Sequence, residues 1–161
     1  MADNVTWLAN VRYPGQKIVL WAHNGHIADR PVPVANMGSI LAQRFGKKYY
    51  RLGFAFDGGS FSAFVGKADV PVSVQPASTG SFDGILHSTN VSAFFLNFDH
   101  LPTTALSQWL DAPAWHREVG GAYNQKLAAS YFEPTQLRVD FDGLIFVDRS
   151  HASKNLSVSK K

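Results

Sequence analysis

The feature that most constrains this chain is the run Lys17-Ile18-Val19-Leu20-Trp21-Ala22, which ends abruptly in His23-Asn24-Gly25-His26. After Lys17 the run has no polar residue, so it lacks the two-residue alternation of a strand with one wet face. Such a run suits a strand covered on both faces, as in a parallel sheet flanked by helices. The expected fold class is therefore α/β, a layered α/β sandwich with a mixed, largely parallel sheet. Open sheets of this kind bind ligands in the crevice beyond their strand ends, and this strand would deliver two imidazoles there.

The rest of the chain alternates helical and extended patterns. Asp3 or Asn4 is placed to cap a first helix with Val5, Leu8 and Val11 on one stripe, stopped by Tyr13-Pro14-Gly15. Residues 24–34 read as a polar loop punctuated by proline. Asn36 then caps a helix that buries Met37, Ile40, Leu41 and Phe45 and ends at Gly46. Tyr50, Leu52, Phe54 and Phe56 alternate as a strand, and Asp57-Gly58-Gly59 is expected to turn it into a second strand over 60–64. Pro71 and Pro76 mark 65–81 as a loop or edge strand, and Ser81 precedes a short helix over 82–87. Strands over 92–98 and 143–147 bracket a helix that starts at Thr103 or Thr104 and carries Leu106, Trp109 and Leu110. The expected organisation is one domain over 1–149 and a flexible basic tail over 150–161, with Lys154, Lys160 and Lys161.

Gly25 permits a sharp turn and Asn24 tolerates left-handed geometry, so His23 and His26 are candidates to converge on one small volume. An imidazole with an ordinary pKa of about 6.5 can take a proton from water and return it to a leaving group. One of the pair would act as base while the other holds substrate or an oxyanion. The bland alternative makes His23 a strand cap bonded to a backbone carbonyl and His26 an exposed loop residue. A metal would need a third ligand from His87, His100 or an Asp; no metal and no cofactor is expected. Asp57 and Asp142 read as turn or capping residues, and Arg117, after Trp115-His116, as a solvated arginine ahead of one that meets an anion. Only two glutamates exist, Glu118 and Glu133, and neither lies in a segment aimed at the histidines.

Several chemistries are excluded by inventory. The chain has no cysteine, which removes disulfides, thiolate zinc sites and cysteine nucleophiles. It contains no Gly-x-Ser-x-Gly elbow, phosphate loop or dinucleotide fingerprint. A net charge of +3 with scattered basic residues makes no nucleic-acid footprint. Without a signal pattern or a membrane-length apolar run, the expectation is a cytoplasmic protein with neither nucleic-acid nor membrane partners.

The motif Trp21-Ala22-His23-Asn24-Gly25-His26 is followed in order by Met37-Gly38-Ser39, Phe45-Gly46, Tyr49-Tyr50, Gly53-Phe54-Ala55-Phe56, Gly59-Ser60-Phe61, Trp109-Leu110 and Phe141-Asp142-Gly143-Leu144-Ile145. In this order the chain resembles the erythromycin esterase family from about residue 2 to residue 148. The resemblance implies hydrolysis of a carboxylic ester or macrolide lactone, the chemistry of macrolide resistance, by a metal-independent route in which a histidine activates water. Carried over by motif, His23 and His26 are the catalytic candidates, with Trp21 and Asn24 as candidate substrate contacts. The family's upstream Gly-Glu-x-x-His segment, which supplies the base and its carboxylate, has no counterpart here, in keeping with the scarcity of glutamate. Asn97-Phe98-Asp99-His100 also departs from relatives, which commonly show an acidic residue and an arginine there.

The resemblance therefore implies an incomplete version of a larger domain, its C-terminal half, with little or no activity alone. Its expected partners are a small ester or lactone substrate and either a missing N-terminal half or a second copy. The alternative function is a non-catalytic binding or assembly domain for a carbohydrate or aromatic ligand, stacked on Trp21, Trp109 and Trp115.

Overall fold

The computed structural model describes residues 1–30, 35–99, 101–102 and 104–154, without the Leu106 side chain. Residues 31–34, His100, Thr103, Lys160 and Lys161, named above, lie outside the described residues, as does the apolar role expected of Leu106. The helices are α1 (Ala2–Trp7), continued by a π-helical turn over Leu8–Arg12, then α2 (Asn24–Ile27), α3 (Met37–Phe45), α4 (Phe82–His87), α5 (Ala105–Asp111) and α6 (Leu137–Asp140). The strands are β1 (Leu52–Val65), β2 (Ala68–Val74), β3 (Ala93–Asn97), β4 (Ala114–Arg117), β5 (Phe132–Thr135) and β6 (Gly143–Ser150).

Four strands form one sheet in the order β2-β1-β6-β3, and β4 pairs with β5. β1 and β2 run antiparallel, from Gly59 opposite Val74 to Val65 opposite Ala68. Gly143 N–H donates to Arg51 O at 3.2 Å and Ser150 Oγ to Ser60 O at 2.6 Å, so β6 advances alongside β1 in the same direction. Phe98 N–H donates to Asp142 O and Asp148 N–H to Ser92 O, which sets β3 antiparallel to β6. The sheet is mixed and the fold is α/β, as expected; β1–β6 is its parallel pairing, and β2–β1 and β6–β3 are antiparallel.

Two compact units are present. One comprises Met1–Phe54, Phe95–Ala114 and Pro134–Ile145, with Leu41, Leu110, Leu137, Phe141 and Leu144 buried in it. The other comprises Ala55–Phe94, Trp115–Glu133 and the chain from Phe146; Ala63, Val74 and Tyr123 form a core cluster there with Phe56, Phe61 and Tyr131 around it.

Local signals worked where the partner atom is close in sequence. Asn36 Oδ1 accepts from Ser39 N–H at 2.8 Å to start α3, and Gly46 at φ +52° ends it. Ser81 Oγ accepts from Gly84 N–H at 3.1 Å to start α4. Thr104 begins α5 through a reciprocal cap with Ser107. β2 is an edge strand that tolerates Pro71.

Other expectations are corrected. Residues 17–22 belong to no strand, and Val19 and Trp21 are 89% and 82% exposed. A strand needs backbone partners, and among the described residues no strand pairs its backbone with this run. β1 does not turn at Asp57-Gly58-Gly59; it is one strand of 14 residues, and the hairpin turns at Gly66-Lys67. Gly59 serves close approach instead, since a Cβ there would sit 2.2 Å from Ser150 O. The first helix begins at Ala2 without a side-chain cap, Asp3 pairs with Arg44 at 2.7 Å, and Val11 at the helix end is exposed. Residues 24–27 form a helical turn inside the expected loop. β4, β5, α6 and a 3-10 segment over Gln125–Tyr131 had no counterpart in the sequence reading.

Beyond β6, Ala152 N–H donates to Ser60 Oγ at 3.1 Å, and Ser62 and Ser153 share a hydroxyl hydrogen bond of 3.1 Å. No helix among the described residues is long and apolar enough to cross a membrane.

Candidate active site

The two motif histidines sit on α2, in the first unit. His23 is the N-cap, with extended backbone, and its Nδ1 accepts from Gly25 N–H at 3.1 Å. In that arrangement the neutral ring carries its proton on Nε2. The His23 and His26 rings lie 6.4 Å apart, edge to face at 76°, and both residues are exposed. The two imidazoles are neighbours, and His23 caps a helix through its ring nitrogen, not a strand through a carbonyl.

The loop is held by backbone ties. Asn24 Nδ2 donates to Phe54 O at 2.7 Å while its Oδ1 accepts from Phe54 N–H at 3.0 Å, so one side-chain amide stands where a neighbouring strand residue would. Asn36 Nδ2 donates to Gly25 O at 2.9 Å, and Tyr49 Oη donates to Ile27 O at 3.0 Å. Burial, opposed by Arg51 and helped by Asp142 and Asp29, pushes the Tyr49 phenol up to about 12, so it remains a donor across the neutral range. Gly38 allows α3 to pack directly on the carbonyls of Ile27 and Ala28. Trp21 stands beside Phe54 with ring centroids 5.5 Å apart.

Behind the loop lies an ion network. Arg51 reaches Asp142 through Nη2 at 2.6 Å and Nε at 2.9 Å, reaches Asp29 at 3.1 Å, and donates its backbone N–H to Asp142 at 2.7 Å. Asp29 N–H in turn donates to Asp140 O, and Arg30 Nε pairs with Asp140 at 3.0 Å. Asp142 thus does more than cap a turn: it locks the start of β1 to the start of β6. Burial works to raise the Asp142 carboxyl, but the Arg51 side chain and backbone donors outweigh it and hold the carboxyl below its ordinary range.

A depressed carboxylate stabilises the fold fully above the ordinary carboxylate range, and this contribution is lost as pH falls through that range to the group's own lowered value. Arg51→Met is expected to remove about 2–3 kcal/mol at neutral pH and to flatten the acid slope of stability. Urea melts of both proteins between neutral and acidic pH test this; equal slopes would refute the assignment.

Asp57, His87, Arg117, Glu118, Glu133 and Asp148 belong to the second unit. His87 lies against Asp148 and Asp57, and these three form the one group of metal-ligating side chains among the described residues. Neither His23 nor His26 is in it. Asp57 lies inside β1, buried at 3%, and accepts from Ala77 N–H at 3.0 Å. Glu133 is exposed, and Glu118 is buried with its Oε1 4.0 Å from His116 Nε2.

Arg117 corrects the sequence reading most sharply, since it is buried at 7% and not solvated. Its Nη1 and Nη2 donate to Asp57 O and Gln75 O, each at 2.8 Å, and its guanidinium lies 5.2 Å and 5.1 Å from the Phe56 and Phe132 ring centres. Burial lowers its pKa, while Asp83 and Asp57 oppose the shift. Asp83 Oδ2 accepts from Arg117 N–H at 2.9 Å and lies 3.2 Å from His116 Nδ1. No sequence signal within a few residues of Arg117 announces any of these partners.

A mixed α/β sheet carrying a paired-histidine loop defines the class. Residues 1–150 match the erythromycin esterase family model, and the chain belongs to that family. It is 27% identical over 158 residues to YbfO of Bacillus subtilis (strain 168), described as a candidate hydrolase, covering 92% of this chain and 33% of YbfO. It is 23% identical to erythromycin esterase type II of Escherichia coli over 96% of this chain and 36% of that protein. The chain thus spans about a third of the length of these relatives. Its fold matches the crystal structure of a succinoglycan biosynthesis protein with TM-score 0.78 and 24% identity, over 93% of this chain and 37% of that one. A mutant of the erythromycin esterase EreC in its open conformation matches with TM-score 0.59 and 21% identity, over 98% of this chain and 37% of EreC.

Proposed function

We propose that this chain supplies the histidine-bearing wall of a cleft that hydrolyses a small carboxylic ester or lactone with activated water, and that the base and carboxylate come from outside these 161 residues. The observation that carries this reading is the pair of exposed, edge-to-face imidazoles on a loop tied to β1, α3 and Tyr49. With Nδ1 accepting from Gly25, His23 offers an Nε2 proton, which suits it to hold a developing oxyanion. His26 then moves the proton to the leaving group. The exposed run at Val19 and Trp21 supports completion of the cleft by further sheet, from an N-terminal half or a second copy.

Hydrolysis of an aryl ester and of a macrolide lactone by the 161-residue chain is expected to be near background. Adding the N-terminal segment of a relative should restore turnover, and His23→Ala or His26→Ala should remove it again. Robust turnover by the chain alone that survives both substitutions would overturn the proposal.

A second reading, a binding platform for a carbohydrate or aromatic ligand, is favoured by Trp21, 82% exposed and tilted at 56° beside Phe54. It predicts ligand affinity that falls with Trp21→Ala and ignores His23→Ala.

A further inference from the structure

We infer that Asp57, His87 and Asp148 form a site for one divalent transition-metal ion of the zinc type, in the second unit and independent of the histidine loop. The three donors come from three elements: Asp57 from β1, His87 from the last turn of α4 and Asp148 from β6. One ligand atom from each lies within 4.8 Å of the other two. His87 Nδ1 is 2.5 Å from Asp148 Oδ1 and 3.8 Å from Asp57 Oδ2. Donors bound to one ion at about 2.1 Å stand about 3.0–3.5 Å apart, so the two distances bracket a bound geometry.

Asp148 is within hydrogen-bond reach of His87, whereas Asp57 Oδ2, at 3.8 Å, is not. The Asp57 side chain is only 4% exposed. Its Oδ1 is occupied by Ala77 N–H, whereas its Oδ2 meets no hydrogen-bond donor among the described residues and faces the same imidazole nitrogen. A largely buried side chain whose second carboxylate oxygen faces a ligand-bearing ring suits a cation. Two carboxylates with a neutral imidazole carry two negative charges, which matches a divalent ion, and a mixed nitrogen and oxygen donor set suits zinc, manganese or cobalt. The His87 side chain is half exposed, at 51%, so the ion enters from its side and keeps water in its remaining positions. Held this way, the ion staples β1, α4 and β6 together, and binding to the folded state alone raises its stability.

The test is calorimetric titration of chelator-treated protein with zinc chloride, with cobalt(II) visible absorption as a second probe. One ion per chain is expected, with a higher melting temperature and a cobalt spectrum of a low-symmetry site. His87→Gln and Asp148→Asn, both at exposed or part-exposed positions, should each weaken binding at least about tenfold, and Asp57→Asn should do the same. The double variant His23→Ala, His26→Ala should bind as the parent does. Absence of binding up to millimolar zinc, unchanged affinity in His87→Gln, or loss of binding in the double variant would each overturn the assignment.

Discussion

Arg117→Met is expected to destabilise the unit around it by about 3–5 kcal/mol, enough to unfold a marginal domain. The methionine would keep much of the volume between Phe56 and Phe132 but lose the guanidinium donors. Asp57 O and Gln75 O would then be left without the guanidinium that satisfies both at 2.8 Å, and the fully buried Asp83 would lose a neighbouring positive charge. A buried acceptor left unsatisfied costs about 1–3 kcal/mol, and hydrogen bonds from a charged donor lie at the upper end. Arg117→Lys should recover less than half of the loss, because an ammonium is a point charge and cannot span two carbonyls as the planar fork does. Urea denaturation followed by near-ultraviolet circular dichroism measures this. A loss below about 1 kcal/mol for Met would show that water replaces the guanidinium.

Gly38→Ala should cost about 3 kcal/mol even though alanine is the better helix former by about 1 kcal/mol. A Cβ at position 38 would stand 2.2 Å from Ile27 O and 2.3 Å from Ala28 O. These are backbone atoms, and neither can retreat freely. Ile27 O accepts from Tyr49, and Asp29, the residue after Ala28, is tied to Asp140 through its N–H and to Arg51 through its carboxylate. The strain should therefore pass into α2 and displace His23 and His26. A thermal melt would register the loss of stability, and proton NMR shifts of the two imidazoles would register the displacement. An unchanged or raised melting temperature would mean that α3 moves away as a body without consequence.

What the sequence made legible follows a physical divide between near and distant partners. Asn36 and Ser81 could be read as caps because each bonds an N–H three residues on. The paired histidines could be read as a site because two residues of turn-forming character separate them. The run at 17–22 encodes burial on two faces, but an apolar pattern does not name what covers it, and among the described residues Val19 and Trp21 remain open. Asp57-Gly58-Gly59 looks like a turn from its composition. Only Ser150, far along the chain, shows that Gly59 is there for close approach. Arg117 is similar: the carbonyls and rings that bury it come from Phe56, Asp57, Gln75 and Phe132. Of the site itself, the imidazoles were legible, while the amide, phenol and glycine contacts that fix their loop were not.

The pairing of the Asn24 amide with both backbone groups of Phe54 makes the histidine loop a reader of strand register. A slip of β1 by one residue would point the next backbone N–H and C=O away from Asn24, because successive peptide groups face opposite edges. The loop would then lose both bonds at once. Correct alignment of the sheet and correct placement of the imidazoles are thus a single event, and a misaligned chain announces itself by failing to present His23 and His26.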